Sequence, residues 1–408
     1  MTSSSPSPQA PTPIAAVLTL TVLASIGTGV IWNGLPFIAK HEHGYSQTLN
    51  LLLYLAVGVT YIIGAINAGR FSRAAERFTS PRGVLATILV IETALCMLPL
   101  GFDGAWVLWV VGIVNALFSA VLWAKVESYL TAGRFGASMR NAIGWFNIAW
   151  TGAVAASLFF MAPLIEHHAS MSIVLLGGLN AVALMTLAWF GRSPGDHARG
   201  SALQSISTSY APMLSVTSIL LPLSYLINAS LAPLMPYIVE GVGVSGFWET
   251  PCTAIWMVAR TATMAVMWRV ATWRGRWSPL VWGGVGVTAG FALVAWSPLL
   301  AVLVIGLVIY GVAMGVIYYA ALYYQMAVGH AAVDAGGRHE ALIGVGYAAG
   351  PAAGLLGGGM ASISAGAISS HQGVIGVVLV VSVGMGVEAI RRLSRGRNGW
   401  SKNDILPP

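Results

Sequence analysis

The chain alternates twelve long apolar runs with short polar breaks, and its arginines fall almost entirely in every second break. A helix that crosses a bilayer needs about 20 mainly apolar residues. Runs of that length lie at 14–38, 47–69, 83–101, 104–128, 139–163 and 169–191, and again at 213–238, 247–270, 277–297, 299–325, 340–367 and 372–390. Two of the breaks, at 101–104 and 297–299, are very short. Only 8% of the 408 residues are charged and 57% are hydrophobic, whereas a soluble chain carries about 25% charged residues. No water-soluble fold of this length covers its surface with so few charges, so the lipid bilayer must surround most of it. The expected fold class is therefore an all-α polytopic membrane protein with twelve transmembrane helices.

Charge supports the count. If the N-terminus is cytoplasmic, Lys and Arg concentrate in the even-numbered connectors and the C-terminal tail. The first such connector holds Arg70, Arg73, Arg77 and Arg82. Arg134, Arg140, Arg192, Arg199, Arg269, Arg274, Arg276 and Arg338 follow, and Arg391, Arg392, Arg395, Arg397 and Lys402 close the chain. Seventeen of the twenty basic residues thus share one side. The other side has Lys40 with Glu42, Asp103, Glu166, Glu240 and Glu249, and an incorrect helix count would scramble this alternation. The predicted setting is the plasma (inner) membrane, multi-pass, with both termini cytoplasmic. The net charge of +7 does not point to nucleic acid, because the basic residues form no stripe with interleaved aromatics. Residues 1–13 lack Lys and Arg, so they are no signal peptide; a disordered tail is expected. Cys96 and Cys252 lie inside apolar runs, which suggests neither a disulfide framework nor a metal site. No cofactor is expected.

The chain is also doubled. A polar linker, 192–212, separates a six-helix half at 14–191 from a second at 213–390, and a basic tail, 391–408, follows. RNAIGWFNIAW (140–150) aligns with HEALIGVGYAA (339–349), matching Ile143-Gly144 to Ile343-Gly344. The preceding stretches begin at Gly112 and Gly311, nearly the same offset. Equal halves with a common offset indicate an internal repeat, and two such halves about an axis along the membrane normal are the plan of one large class of transporters.

Three local features carry a family resemblance. The connector Gly69-Arg-Phe-Ser-Arg-Ala-Ala-Glu-Arg77 resembles the Gly-x-Leu-x-Asp-Arg-x-Gly-Arg loop of the major facilitator superfamily, with WRVATWRGRW (268–277) as its counterpart. GVGYAAGPAAGLLGGG (344–359) is similar to that family's Gly-Pro and small-residue pattern. LFSAVLWAKVESYL followed by IGWFNIAW is similar to the helix 4–5 region of many bacterial members. The pattern departs at Arg73, where an acidic residue is expected, at Ala74 in place of arginine, at Trp150-Thr151-Gly152 in place of a Gly-Pro pair, and at Asn115, where drug/proton antiporters often have arginine. The resemblance implies a pseudo-two-fold bundle of two six-helix halves. It also implies secondary active transport of a small solute by alternating access, with proton coupling open.

Candidate residues follow. Arg260 falls mid-span, where a charge costs several kcal/mol unless paired or hydrated; it is either a cavity cation for an anionic substrate group or a structural arginine. Glu92, halfway along the third span, is either a proton-coupling acid or, the favoured reading, a hydrogen-bonded structural one. Lys125, Glu127, Arg140 and Glu340, at cytoplasmic helix ends, are gating candidates with end caps and snorkelling charges as the alternative. The resemblance assigns the cavity to the first, fourth, seventh and tenth spans, which offer Trp32, Asn33, Asn115, Tyr225, Asn228 and Tyr318, whereas Trp123, Tyr323 and Tyr324 read as interface anchors. Gly346, Gly350, Gly354 and Gly358 recur every four residues, a stripe for close helix packing, with Pro351 a kink site.

A membrane-embedded enzyme is the less favoured alternative. His41, His43, His167, His168, His330, His339 and His371 all read as connector or helix-edge residues, and no HExxH occurs. No Gly-x4-Gly-Lys-Ser/Thr loop is present, which disfavours ATP-driven transport. A transporter-like sensor or scaffold without flux stays open. A small-molecule substrate and a functional monomer are expected.

Overall fold

A computed structural model of the chain describes residues 11–134, 136–194, 210–328, 333–364 and 369–398. The described residues hold twelve long helices and no strand. They are α1 (Ile14–His43), α2 (Gln47–Ala75), α3 (Pro81–Cys96), α4 (Trp106–Thr131), α5 (Gly136–Met161) and α6 (Met171–Thr186). The second set is α7 (Tyr210–Gly241), α8 (Glu249–Arg269), α9 (Ser278–Ala295), α10 (Leu300–Val328), α11 (Val333–Ile363) and α12 (Ser370–Asn398). Eleven are long and apolar enough to cross a membrane. The exception is α8, 21 residues long, which carries Glu249, Arg260, Arg269 and four threonines and so fails on composition alone. Large apolar side chains such as Ile66, Met185, Trp282, Leu356 and Val380 lie on the outside of the bundle, where lipid rather than water is their partner.

Helix ends follow local chemistry. Gly44 adopts φ +61° and closes α1 with its N–H on the Lys40 carbonyl at 3.0 Å, the left-handed cap that glycine adopts without a Cβ penalty. Ser46 and Ser80 cap α2 and α3, accepting from the Leu49 and Gly83 amides at 3.3 and 3.2 Å, as N-cap serines do. The N-terminal stretch expected to be disordered is held at its end. Thr12 is buried, its hydroxyl accepting from Gly191 N–H at 3.2 Å and its carbonyl accepting from Arg134 Nη2 at 2.5 Å. Residues 1–10, 195–209 of the linker, His330 and the 399–408 end of the tail lie outside the described residues.

Three pairings of each half repeat when every helix number is raised by six. The pairs α1–α5, α2–α4 and α3–α6 in the first half correspond to α7–α11, α8–α10 and α9–α12 in the second. Between halves, α2 packs on α11 and α5 on α8, which are again equivalent pairs. The repeated Ile-Gly lies on these two seams. A Cβ on Gly144 would sit 2.4 Å from the Trp268 ring of α8, and one on Gly344 would sit 2.9 Å from Ile62 Cα of α2. The glycine stripe of α11 divides its work. Gly346 and Gly350 meet the α7 backbone, Gly354 meets Leu51 of α2, and Gly358 has only Ser370 Oγ within 4 Å. The close approach to α12 is made by Gly357 instead, against the Gly373 carbonyl. Pro351 sits within α11 one residue beyond the Gly350–Leu226 contact.

Candidate functional site

Between the halves the helices enclose a cavity of about 50 Å³, space for a few waters at about 10–15 Å³ each. Thr28 and Trp32 of α1, Tyr61 of α2, Trp123 and Glu127 of α4 and Phe146 and Trp150 of α5 form one wall. Tyr225 of α7, Tyr318 of α10 and Glu340, Ile343 and Tyr347 of α11 form the other. Eight of these twelve side chains are aromatic, so the wall is one continuous π surface with two carboxylates. Trp32 stacks on Tyr347 across the halves at 3.7 Å and 18°, and Tyr61 sets its edge against both. Trp123, expected at the membrane interface, is a cavity residue instead, packed edge-to-face on Phe146. A second, smaller space of about 10 Å³ is lined by Asn33, Asn228, Thr253, Trp256 and Tyr310, and there the Tyr310 hydroxyl donates to Asn228 Oδ1 at 3.1 Å.

Arg260 is 1% exposed and is not on the cavity wall. Its guanidinium lies 4.6 Å from the Trp150 ring centre and 4.7 Å from that of Tyr318, with Tyr225 and Trp256 at 5.7 and 5.8 Å. Nη2 donates to the Tyr225 hydroxyl at 3.0 Å, and Nε has no hydrogen-bond partner. A flat cation within about 6 Å of a ring face is attracted by the ring quadrupole, by as much as 2 kcal/mol or more where water is excluded. The rings thus hold the charge that sequence reasoning left without a partner.

The acids divide. Glu340 accepts a hydrogen bond from the Tyr61 hydroxyl of the other half, while Glu127 Oε2 is buried with no hydrogen-bond partner. Both line the cavity, so they are wall residues rather than surface charges at helix ends. Lys125 is buried and pairs with Glu76 in the same half, Arg140 is exposed at the start of α5, and neither joins the two glutamates. Glu92 is buried in α3, which packs on α6 and α4, away from the cavity, with Oε1 unpartnered. Asn115 is buried and lines neither space. His339, read as a helix-edge residue, is buried within α11 with its ring 5.2 Å from that of Tyr318. Tyr324, also read as an interface anchor, is fully buried and accepts from the Gly275 amide at 3.0 Å. Among the described residues no three His, Cys, Asp or Glu side chains group as metal ligands, and both cysteines are free and buried.

Polar bridges between the halves close the face opposite the arginines. Lys40 pairs with Glu240 at 2.8 Å and donates to the Pro236 carbonyl at 2.9 Å. His41 and Glu249 approach to 2.8 Å. Asn50 donates to the Tyr237 hydroxyl at 3.1 Å, which donates in turn to the Tyr45 carbonyl at 2.5 Å. The signal for this latch was in the chain: Pro36, Ile38 and Lys40 correspond to Pro236, Ile238 and Glu240 at an offset of 200, the offset of the two Ile-Gly pairs. In the cavity wall the halves meet through Tyr61 and Glu340, and on the arginine-rich side through Trp268 donating to Asn141 at 3.3 Å and through Trp145 against Trp268.

No family model and no curated protein sequence matches this chain. Solved structures do. Two crystal structures of the nucleoside transporter NupG, one of a point mutant, superpose with TM-scores of 0.67 and 0.68 at 14% and 13% identity, covering 93% of this chain and 98% and 99% of theirs. A bacterial homologue of the human lysosomal transporter Spinster, in an inward-facing and unoccupied conformation, superposes with a TM-score of 0.68 at 14% identity, over 95% of this chain and 98% of that one. Likeness at this identity establishes the fold. This is a multi-pass membrane protein with the fold of those transporters.

Proposed function

We propose that the chain is a secondary transporter that moves a small solute by alternating access. One observation carries the reading: a partly polar cavity lies on the seam of two repeated halves, with separate cross-half contacts toward either face of the bundle. A site on the seam opens to one face when the contacts on that face part, and to the other when the opposite set parts. The fold shared with two named transporters supports this. Proton coupling is part of the proposal, because Glu127 and Glu340 are the titratable carboxyls of the cavity wall. The working unit is one chain, since both walls come from a single bundle. The arginine-rich face is cytoplasmic, as the distribution of Lys and Arg favours, in the inner membrane with both termini inside.

Reconstitution of the purified chain into liposomes, with a solute panel and with or without a pH gradient, tests the proposal. Saturable counterflow is the expected result. Ligand binding without flux under every gradient would instead make the chain a membrane sensor, and turnover without flux would make it an enzyme.

A further inference from the structure

We infer that the cavity, widened as the halves part, takes a small flat organic cation, a single-ring amine that carries N–H donors, between Trp32, Tyr61 and Tyr347 on one side and Glu127 and Glu340 on the other. The assignment names the substrate class of the site described above and rests on the transport reading for the cavity being a solute site.

Charge decides it. Two carboxylates line a space whose other wall groups are neutral. Among the described residues no Lys, Arg or His nitrogen lies within 4.0 Å of either one. Glu127 is 3% exposed and its Oε2 lacks any partner, and an unsatisfied buried acceptor is a standing cost that a bound donor removes. The one nearby cation does not neutralise the wall. Arg260 is sheathed between the faces of Trp150 and Tyr318 and hydrogen-bonds Tyr225, so an anion would have to part those rings to reach it.

Shape points the same way. Trp32 and Tyr347 stack at 3.7 Å with Tyr61 edge-on, and a planar ligand extends such a stack. Ring faces with a carboxylate beside them are the recurrent recognition chemistry for organic cations, because the ring quadrupole and the acid attract the same sign of charge. Neutral solutes would gain the stacking, and those with an O–H or N–H would also satisfy Glu127, but none would gain the attraction between opposite charges. Anions would meet a like charge whenever either carboxyl is ionised.

Three probes of one single-ring skeleton separate these cases: benzylammonium, its neutral isostere benzyl alcohol, and benzoate. Binding to the purified full chain is read by quenching of tryptophan fluorescence, since Trp32, Trp123 and Trp150 are in the wall. The cation is expected to bind about tenfold or more tighter than the neutral isostere. Glu127→Gln and Glu340→Gln should each weaken it by a similar factor with an unchanged size-exclusion profile, and Glu127→Asp should recover part of the loss. Equal binding of cation and isostere, tightest binding by the carboxylate with its loss in Arg260→Met, or binding by none of the three would each overturn the assignment. Liposome flux keeps the two proposals apart. Cation binding without flux leaves the substrate class and removes transport, whereas flux of another solute by a chain blind to the cation does the reverse.

Discussion

Substituting Gly344 with alanine should bias the protein toward the state open at the arginine-rich face. Its added Cβ would lie 2.9 Å from Ile62 Cα and 3.0 Å from Ile62 Cβ, whereas carbon atoms in contact prefer about 3.5–4.0 Å. The shortfall, about 0.5–1 Å, must come from separation of α11 and α2, because the neighbour is backbone and cannot swing aside. Overpacking of this kind costs about 1–3 kcal/mol. The cost falls only on the state in which this seam is closed, so the open state gains about 5- to 150-fold in relative population.

Cysteine labelling reads this directly. Thr28 lines the cavity and is half-buried, and the native Cys96 and Cys252 are buried, so background is low. The rate of maleimide reaction at Thr28→Cys, in proteoliposomes oriented with the arginine-rich face outward, should rise by that factor when Gly344→Ala is added. Gly350→Ala is the control. Its Cβ would meet the Leu226 carbonyl at 2.3 Å and Ser230 N at 2.8 Å, a harder clash but one between α11 and α7 within a single half. It should lower the melting temperature and leave the labelling rate at the parent value. If both substitutions accelerate labelling, or if Gly344→Ala slows it, the seam does not open as argued.

Three further outcomes follow from the geometry. Glu240 has a 61% exposed side chain, so its pair with Lys40 contributes less than about 1 kcal/mol; Glu240→Gln should change labelling of Asn33→Cys from the outer face less than Glu249→Gln does, whose carboxylate is 3% exposed beside His41, and the reverse order would discredit the latch. Tyr225→Phe removes the hydroxyl that accepts from Arg260, a bond to a charged donor worth about 1.5–3 kcal/mol, so thermal unfolding should begin at lower temperature, and an unchanged curve would mean the rings alone hold the arginine. Asn228→Ala strands the buried Tyr310 hydroxyl at a cost of about 1–3 kcal/mol; adding Tyr310→Phe should restore part of the lost melting temperature, and failure of that rescue would place the cost in packing instead.

What was legible in the chain was whatever the bilayer writes locally. Length, apolarity and the side on which arginine falls are properties of single segments, so twelve spans could be read one at a time, α8 included despite its charges. The cavity was not local. Tyr61, Trp150 and Tyr347 are ordinary aromatic residues until α2, α5 and α11 bring them together, and nothing in the spacing of Arg260 says that its partners are ring faces on three other helices. Glu127 and Glu340 looked like helix-end charges because depth along a helix is readable while the direction a side chain faces is not. The repeat is the one non-local signal that sequence carries, and it reached further than the Ile-Gly pairs. A residue touches its own equivalent in a two-fold arrangement only on the axis, so matched positions bearing opposite charges are candidates for an axial contact. Lys40 and Glu240 satisfy that condition at an offset of 200, with Pro36 and Pro236 four residues before them fixing the register, and their bridge marks where the axis leaves the bundle on the face opposite the arginines.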